Sequence, residues 1–378
     1  AVRWLPFPLT PLGTLRHLPP GFALRAARDA VTGWRRSPRA DTFDEVVRAG
    51  LGPTMAERFY GPYARKLWGL DPTQISGAQA RARIGASSPG AVLRRVLRGR
   101  DPQARTFLYP RRGFGQLWEA LAEAAEVRGA QVRLRTTATA LAVDADGVTV
   151  TLDDGAQVRG RHAWSTLPLP LLARLVTPPA PRPVLDAAAR LRSRALVLVY
   201  LVCATPRYSD YDAHYLPEAW TPVTRISEPK NYRDGHPGPA DDGDPPDRTV
   251  LCAEIPCQPG DDTWRAGDDA LAAVVQRALA QAGLPPPPLQ AVTVRRLPSA
   301  YPIYDLDFAA SLGVIDSWAR TLPRVTSFGR QGLHVHDNSH HALAMAWAAV
   351  DALRDDGTRD EARWRAARER FRRHVVED

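Results

Sequence analysis

Lysine is almost absent from this 378-residue chain, cysteine is scarce, and no long uninterrupted apolar run occurs. The only lysines are Lys66 and Lys230, so the formal charge of +9 is carried almost wholly by arginine, spread along the chain and mixed with acids. A nucleic-acid surface needs clustered basic residues with interleaved aromatics. None is found, so no nucleic-acid partner is expected. Cys203, Cys252 and Cys257 form no CxxC pair and leave one over, which fits reduced, partly buried thiols rather than a disulfide framework or zinc knuckle. A membrane-spanning helix needs roughly 18 to 20 consecutive apolar residues, and the first segment lacks the charged-then-apolar order of a signal peptide. No transmembrane segment and a cytoplasmic location are the expectations.

Several catalytic signatures are missing as well. There is no GxSxG elbow, no HExxH and no P-loop, and the GxG of Gly113–Gly115 has neither a buried strand before it nor a third glycine. What is present is enough apolar residue, 44%, for a packed chain whose length suits one large or two intertwined domains.

The opening AVRWLPFPLTPL is extended and proline-punctuated. Helical spacing then recurs over Gly21–Arg36 and Phe43–Leu70. After Phe107 the period changes: LYPRRGFGQLWEALAEAAEVRGA reads as an extended piece, a glycine turn and a helix from about Gln116 closed by Gly129. VRLRT is expected as a short strand, and TALAVDADGVTVTLDDGAQVRGRHAWSTLPL as a meander turning at Asp146-Gly147 and Asp154-Gly155. Further strands are expected at Leu196–Val202, Val250–Ile255 and Ala291–Leu297, with a helix at Asp269–Ala282. Tyr232–Arg248, rich in Gly, Pro and Asp, reads as a surface loop. A strand and an all-apolar helix span Val325–Leu353, and a charged terminal helix spans Arg359–Val376. The fold class is α/β, mixed with α+β character.

SFGRQGLHVHDNSHHALAMAW, Ser327–Trp347, holds four of the nine histidines within eight residues. On a strand His334 and His336 share one face while Asp337 points away, and His340 and His341 fall at a helix start. Zinc wants three or four convergent ligands, so no metal is expected. Asn338 and Ser339 are good N-cap residues. The helix they begin presents its positive dipole end to an anion, and Arg330 is a fixed cationic donor.

Five segments in order resemble the flavoprotein superfamily of flavin amine oxidases, protoporphyrinogen oxidase and UDP-galactopyranose mutase. They are FLYPRRGFGQLWEAL, VRLRTTATALAVDADGVTVTLDDG with HAWSTLPL, PVTRISEPKNY, LPSAYPIYDLDF and the histidine-rich stretch, which is similar to a last flavin motif GRxGxFxYxNxD. The resemblance implies FAD as cofactor and an incomplete Rossmann-like FAD-binding domain interleaved with a substrate domain of antiparallel sheet plus helices. Its spans are 1–105 (mainly helical, substrate side), 106–170 (flavin side), 171–322 (substrate sheet and helices) and 323–378 (flavin side). The superfamily's leading GxGxxG unit is absent, and the first residues resemble the segment that follows it, so a chain lacking that unit is expected, with a natural loss of flavin binding as the competing account.

Residue by residue, the resemblance implies flavin contacts at Gly113, Gly115, Ala138, Gly329, Arg330, Gly332, Asn338 and Ser339. Arg330 and Asn338 would equally suit a structural turn and helix cap. Arg225 and Tyr232 are substrate-binding candidates for a small molecule that is anionic or a nucleotide-sugar; the bland reading of Arg225 is a surface pair with Glu228. Tyr301 lines the substrate or packs as an ordinary aromatic. His334 and His336 replace an aromatic and a tyrosine of the motif, and His340 stands where an acid often follows. His336 and Tyr301 are the catalytic candidates. The implied activity is a FAD-dependent oxidoreductase passing a hydride from an organic substrate to flavin N5. A mutase-like sugar-nucleotide enzyme using reduced flavin and a non-catalytic scaffold of the same fold are the alternatives.

Overall fold

The computed structural model describes residues 4, 21–22, 24–25, 28–29, 40–84, 108–232, 245–374 and 376. The expected extended opening, apart from Trp4, parts of the helix over Gly21–Arg36, and most of the Tyr232–Arg248 loop lie outside the described residues. The helices used below are α1 (Phe43–Leu51), α2 (Gly61–Trp68), α3 (Gly77–Ile84), α4 (Gly115–Glu126), α5 (Leu169–Leu175), α6 (Arg182–Arg190), α7 (Asp268–Gln281), α8 (Phe308–Thr321), α9 (Gly329–Gly332), α10 (Ser339–Asp351) and α11 (Glu361–Phe371). The strands are β1 (Ala138–Val143), β2 (Val148–Leu152), β3 (Gln157–Gly160), β4 (Ala163–Ser165), β5 (Val176–Thr177), β6 (Arg192–Cys203), β7 (Ala213–Tyr215), β8 (Arg225–Ser227), β9 (Thr249–Cys257), β10 (Leu289–Ile303) and β11 (Val325–Ser327).

The described residues divide into two compact units, each assembled from separate stretches. Unit one takes them from Ala1–Thr73, Ala86–Val132 and Arg194–Ala300; unit two from Gln74–Gly85, Arg133–Ser193 and Tyr301–Asp378.

Unit one is built on a five-stranded sheet of order β10-β6-β9-β8-β7. The apolar run after Arg194 forms a strand, as its length and β-branched content predict, and pairs antiparallel with β9 from Ala195↔Cys257 to Cys203↔Thr249. Ala195, Val197, Val199, Leu201 and Cys203 all point to one fully buried face, against Leu271, Val275 and Leu279 of α7. A pleated strand puts alternate residues on one side, and burying each Val or Leu there contributes about 1.5 to 3 kcal/mol. At the start of α1, Thr42 and Glu45 exchange backbone bonds in a capping box. Gly52, which ends this helix at φ +93°, is required twice over, since a Cβ would stand 2.5 Å from Asp29 Cβ. The three cysteines are free thiols on this sheet, and burial pushes each up to about 11.

Unit two carries the expected meander. β1, β2 and β3 pair antiparallel in sequence order, while β5 joins the other edge of β1 in parallel. α5, α6 and α8 cover this sheet through Leu169, Leu172, Val184, Ala187 and Ile315. That packing draws 171–193 and 301–322 into unit two, whereas 106–132 falls in unit one, so the units divide differently from the spans expected from sequence. β4 and β11 form a separate parallel pair, Val325↔Ala163 to Ser327↔Ser165. Behind it α10 and α11 pack through Ala348, Ala349, Trp364 and Ala367.

Three local expectations are corrected. VRLRT is not a strand: it is exposed, Arg135 adopts φ 55°, and among the described residues no neighbouring strand offers its backbone a ladder. His334 and His336 also lie outside any strand, because φ 54° at His334 turns the chain between α9 and α10. Finally, α10 is apolar all round but buries only one face among the described residues: Met345 is buried while Trp347 is 73% exposed.

Candidate functional site

The site in unit two starts from the β4–β11 pair. Phe328 continues β11 and donates its N–H to Ser165 O (3.0 Å), after which Gly329, at φ +79°, turns the chain into α9. Gly332 lies so close to β4 and β11 that a Cβ would meet Ser327 Oγ at 2.9 Å and Ser165 O at 3.1 Å. Its bareness therefore serves a close approach of backbone to backbone within the protein. The WST return after the meander and the GRxG turn, 164 positions apart in sequence, are thus brought together.

Arg330 lies over the Tyr301 ring at 4.8 Å from its centroid, and Arg83 of α3 lies over the same ring at 5.5 Å. Cation–π contacts of this kind hold the Tyr301 ring beside both guanidinium groups and contribute about 0.5 to 2 kcal/mol each. Three residues on, Tyr304 stacks on Phe308 at 4.0 Å and donates its hydroxyl to His334 O at 3.0 Å. His336 meets Tyr304 edge-on at 4.9 Å, and its Nε2 lies 3.1 Å from Gln79 Oε1, which also accepts Tyr304 N–H at 3.1 Å. Gln79 is fully buried.

Both imidazoles are held neutral. Burial lowers His334 to about 4, only partly opposed by the Ile303 carbonyl. His336 is pushed well below the ordinary range by burial first, then by Arg83, Arg330 and His334. At neutral pH His336 can accept or donate a hydrogen bond, but it has no imidazolium proton to give. Burial likewise raises the Tyr304 phenol.

Asn338 caps α10 in extended conformation (φ −88°, ψ 171°), and its N–H donates to His341 Nδ1 at 3.2 Å. Ser339 is exposed on the first turn of this 13-residue helix, whose end presents N–H groups and a positive dipole. Ala138 opens β1, half-buried, just before a bulge in the pairing with β2.

The remaining candidates belong to unit one. Arg225 on β8 faces Glu254 on β9. Its Nε donates to Glu254 Oε1 at 3.1 Å, its Nη2 to the same oxygen, and its guanidinium lies 5.9 Å from the Tyr215 ring. Burial opposes the Arg225 charge, but the Glu254 carboxylate more than offsets it and holds the group above its ordinary value. Glu228, the partner considered from sequence, is instead locked by Tyr208 N–H, Ser209 N–H, Thr249 Oγ1 and Asn231 Nδ2. Tyr232 stacks on Tyr109 at 5.4 Å. Gly113 uses φ +89° to close a turn onto Pro110 O (3.0 Å), and Gly115 begins α4; a Cβ on either would meet nothing within 4 Å among the described residues.

Sequence reasoning passed over Gln79, Arg83, Tyr109 and Glu254. Tyr109 and Tyr304 sat inside quoted YP segments. Gln79 carried no signal, since its partner Tyr304 lies far along the chain.

Residues 9–348 match the family of flavin containing amine oxidoreductases. Among solved structures, the chain is similar to a reduced UDP-galactopyranose mutase at 20% identity and TM-score 0.70, over 88% of this chain and 70% of that one. A structure described as a protoporphyrinogen oxidase from Exiguobacterium sp. 255-15 follows at 19% identity, TM-score 0.62, over 85% and 70%. Wild-type putrescine oxidase bound to putrescine matches at 16% identity and TM-score 0.52, over 98% and 78%. At such identities these likenesses are of fold.

Proposed function

Because this chain belongs to the flavin-containing amine oxidoreductase family, with FAD as its cofactor, we propose that it oxidises a small organic molecule, with the β11–α9–α10 turn of unit two as its flavin-holding element. The observation that carries the proposal is the convergence of Ser165, Gly329, Arg330, Tyr301 and the start of α10 in one unit. Bound FAD supplies the hydride acceptor at N5, and the protein supplies orientation and electrostatics.

The residues fit such a group. Gln79 Nε2, His334 Nε2 and Ser165 Oγ are buried with no hydrogen-bond partner among the described residues. An unsatisfied buried polar atom costs about 1 to 3 kcal/mol, so a bound molecule rich in nitrogen and oxygen relieves a standing penalty. In this reading Arg330 and the α10 start, with Asn338 and Ser339, hold phosphate or ribityl oxygens. Gly329 and Gly332 shape the turn, and Ala138, in the same unit, adds a backbone contact. Tyr301, held by two guanidinia, lines the substrate position. His336 orients by hydrogen bonding as a neutral ring, a narrower role than proton transfer.

A mutase-like reading rests on Arg225, Tyr232 and the Tyr109 stack in unit one. It is the weaker one, because Glu254 already offsets the charge that an anionic nucleotide-sugar would need.

The test is spectroscopic. Purified protein supplied with FAD should show bound-flavin absorbance, and Arg330→Ala should weaken FAD binding about tenfold, the loss of one charge-assisted contact. Colourless protein that ignores added FAD would sink the reading. Amines, porphyrinogens and UDP-sugars, offered in turn to the flavin-loaded protein, then separate oxidation from mutase chemistry.

A further inference from the structure

A second cluster in unit two borders the proposed flavin-holding turn at the start of α10, but none of its three side chains is among those assigned to FAD. Asp337, just before the α10 cap, His341, on the first turn of α10, and His374, in the turn after α11, bring one potential ligand atom each to within 4.8 Å of one another. Asp337 Oδ2 is 3.0 Å from His374 Nδ1, and Asp337 Oδ1 is 3.6 Å from His341 Nδ1. The two imidazoles stack at 4.2 Å, only 12° from parallel. The Asp337 side chain is 4% exposed, against 11% and 17% for the two rings.

We propose that Asp337, His341 and His374 bind a divalent transition-metal cation of the zinc class. Four-coordinate zinc with bonds of about 2.0 to 2.1 Å places neighbouring ligand atoms about 3.3 Å apart; the two separations from Asp337 straddle that value, and the stacked rings turn out of parallel for both in-plane lone pairs to reach one ion. Two nitrogens and one oxygen suit zinc, cobalt or nickel, whereas calcium and magnesium call for oxygen donors. Three protein ligands leave a position for water, and the more exposed His374 side gives entry.

The hydrogen bonding supplies a second reason. His341 Nδ1 accepts the Asn338 N–H, so it presents a lone pair rather than a proton, and a buried carboxylate oxygen stands beside it. Two electron-rich atoms in that relation are stabilised by a cation between them, which displaces the long 3.2 Å cap bond. The scaffold is already rigid, because α10 and α11 are packed through Ala348, Trp364 and Ala367 with Phe371 against them. The cation then ties the start of one helix to the end of the other. The expectation of no metal weighed His334, His336, Asp337, His340 and His341 along the chain; Asp337 and His341 do converge, but with His374, which only the packing of α11 beside α10 brings to them.

The full chain, stripped with EDTA and titrated with zinc chloride alone by calorimetry, is expected to take up one zinc per chain and to melt at a higher temperature with it. Asp337→Asn and His374→Ala should each weaken binding at least tenfold, the lower end of the loss seen even for residues behind the ligands. His374→Cys keeps a zinc ligand and should restore most of the affinity, which a merely structural histidine would not do. His340→Ala, altering the exposed neighbouring ring, should leave binding unchanged. Absence of zinc uptake by the parent chain, or uptake equal in the Asp337→Asn and His374→Ala variants, overturns the proposal.

Discussion

Lowering the pH from 7 to 5 should destabilise this protein through His334, by an amount the structure allows to be worked out. The ring is 2% exposed, and its pKa falls from 6.5 to about 4 because burial penalises the charged form. As pH drops through 6.5 the unfolded chain binds a proton that the folded chain refuses until about pH 4. The unfolded state thus holds more protons throughout this window, and stability rises with pH. Integrating from pH 7 to 5 gives a loss of about 2 kcal/mol from this one residue. For a unit of this size that is about 4 to 8 °C in melting temperature. Scanning calorimetry at pH 7, 6 and 5 measures it, with His334→Asn as the comparison. Asparagine tolerates the left-handed φ of 54° but does not titrate. The variant should lose distinctly less stability over the same range. An equal loss in both proteins would show that His334 opens to solvent or finds a counter-charge before the fold gives way, and the burial argument would fail.

Other expectations follow from the packing. Glu254→Gln removes the partner of half-buried Arg225 and should cost about 1 kcal/mol, read as a lower urea midpoint; no change would mean that Arg225 is satisfied by the Tyr215 face and water. Ile255→Ala, at a fully buried position of β9, should cost about 2 to 5 kcal/mol and bring the denaturation midpoint down. Gly52→Ala must shift Asp29 and adopt an unfavourable φ, so it should destabilise by at least about 1 kcal/mol, whereas Gly113→Ala meets only the φ penalty and should cost less.

The sequence made the local elements legible wherever periodicity was undisturbed. The meander, the buried strand after Arg194 and the helix at Asp268–Gln281 all lie where alternation or helical spacing placed them. VRLRT failed because alternation signals an extended chain but cannot guarantee a partner strand. The His334–His336 pair failed likewise: two histidines at i and i+2 suggest a strand face, yet a positive φ at His334 breaks the alternation. Arg225 was legible as a placed charge, while its partner was not, since Glu254 becomes a neighbour only through the β8–β9 register.

By itself the sequence determined the family-like order of five segments, the arginine-borne charge, the unpaired thiols and the short-range turns, because each depends on residues close together in the chain. Only the tertiary structure decided which charges are neutralised and which histidines act together. His334 and His336 are driven neutral beside Tyr304 and Gln79, while His341 joins Asp337 and His374. Desolvation and contact depend on what distant segments bring to the same few ångströms, and no spacing along a chain encodes that distance directly.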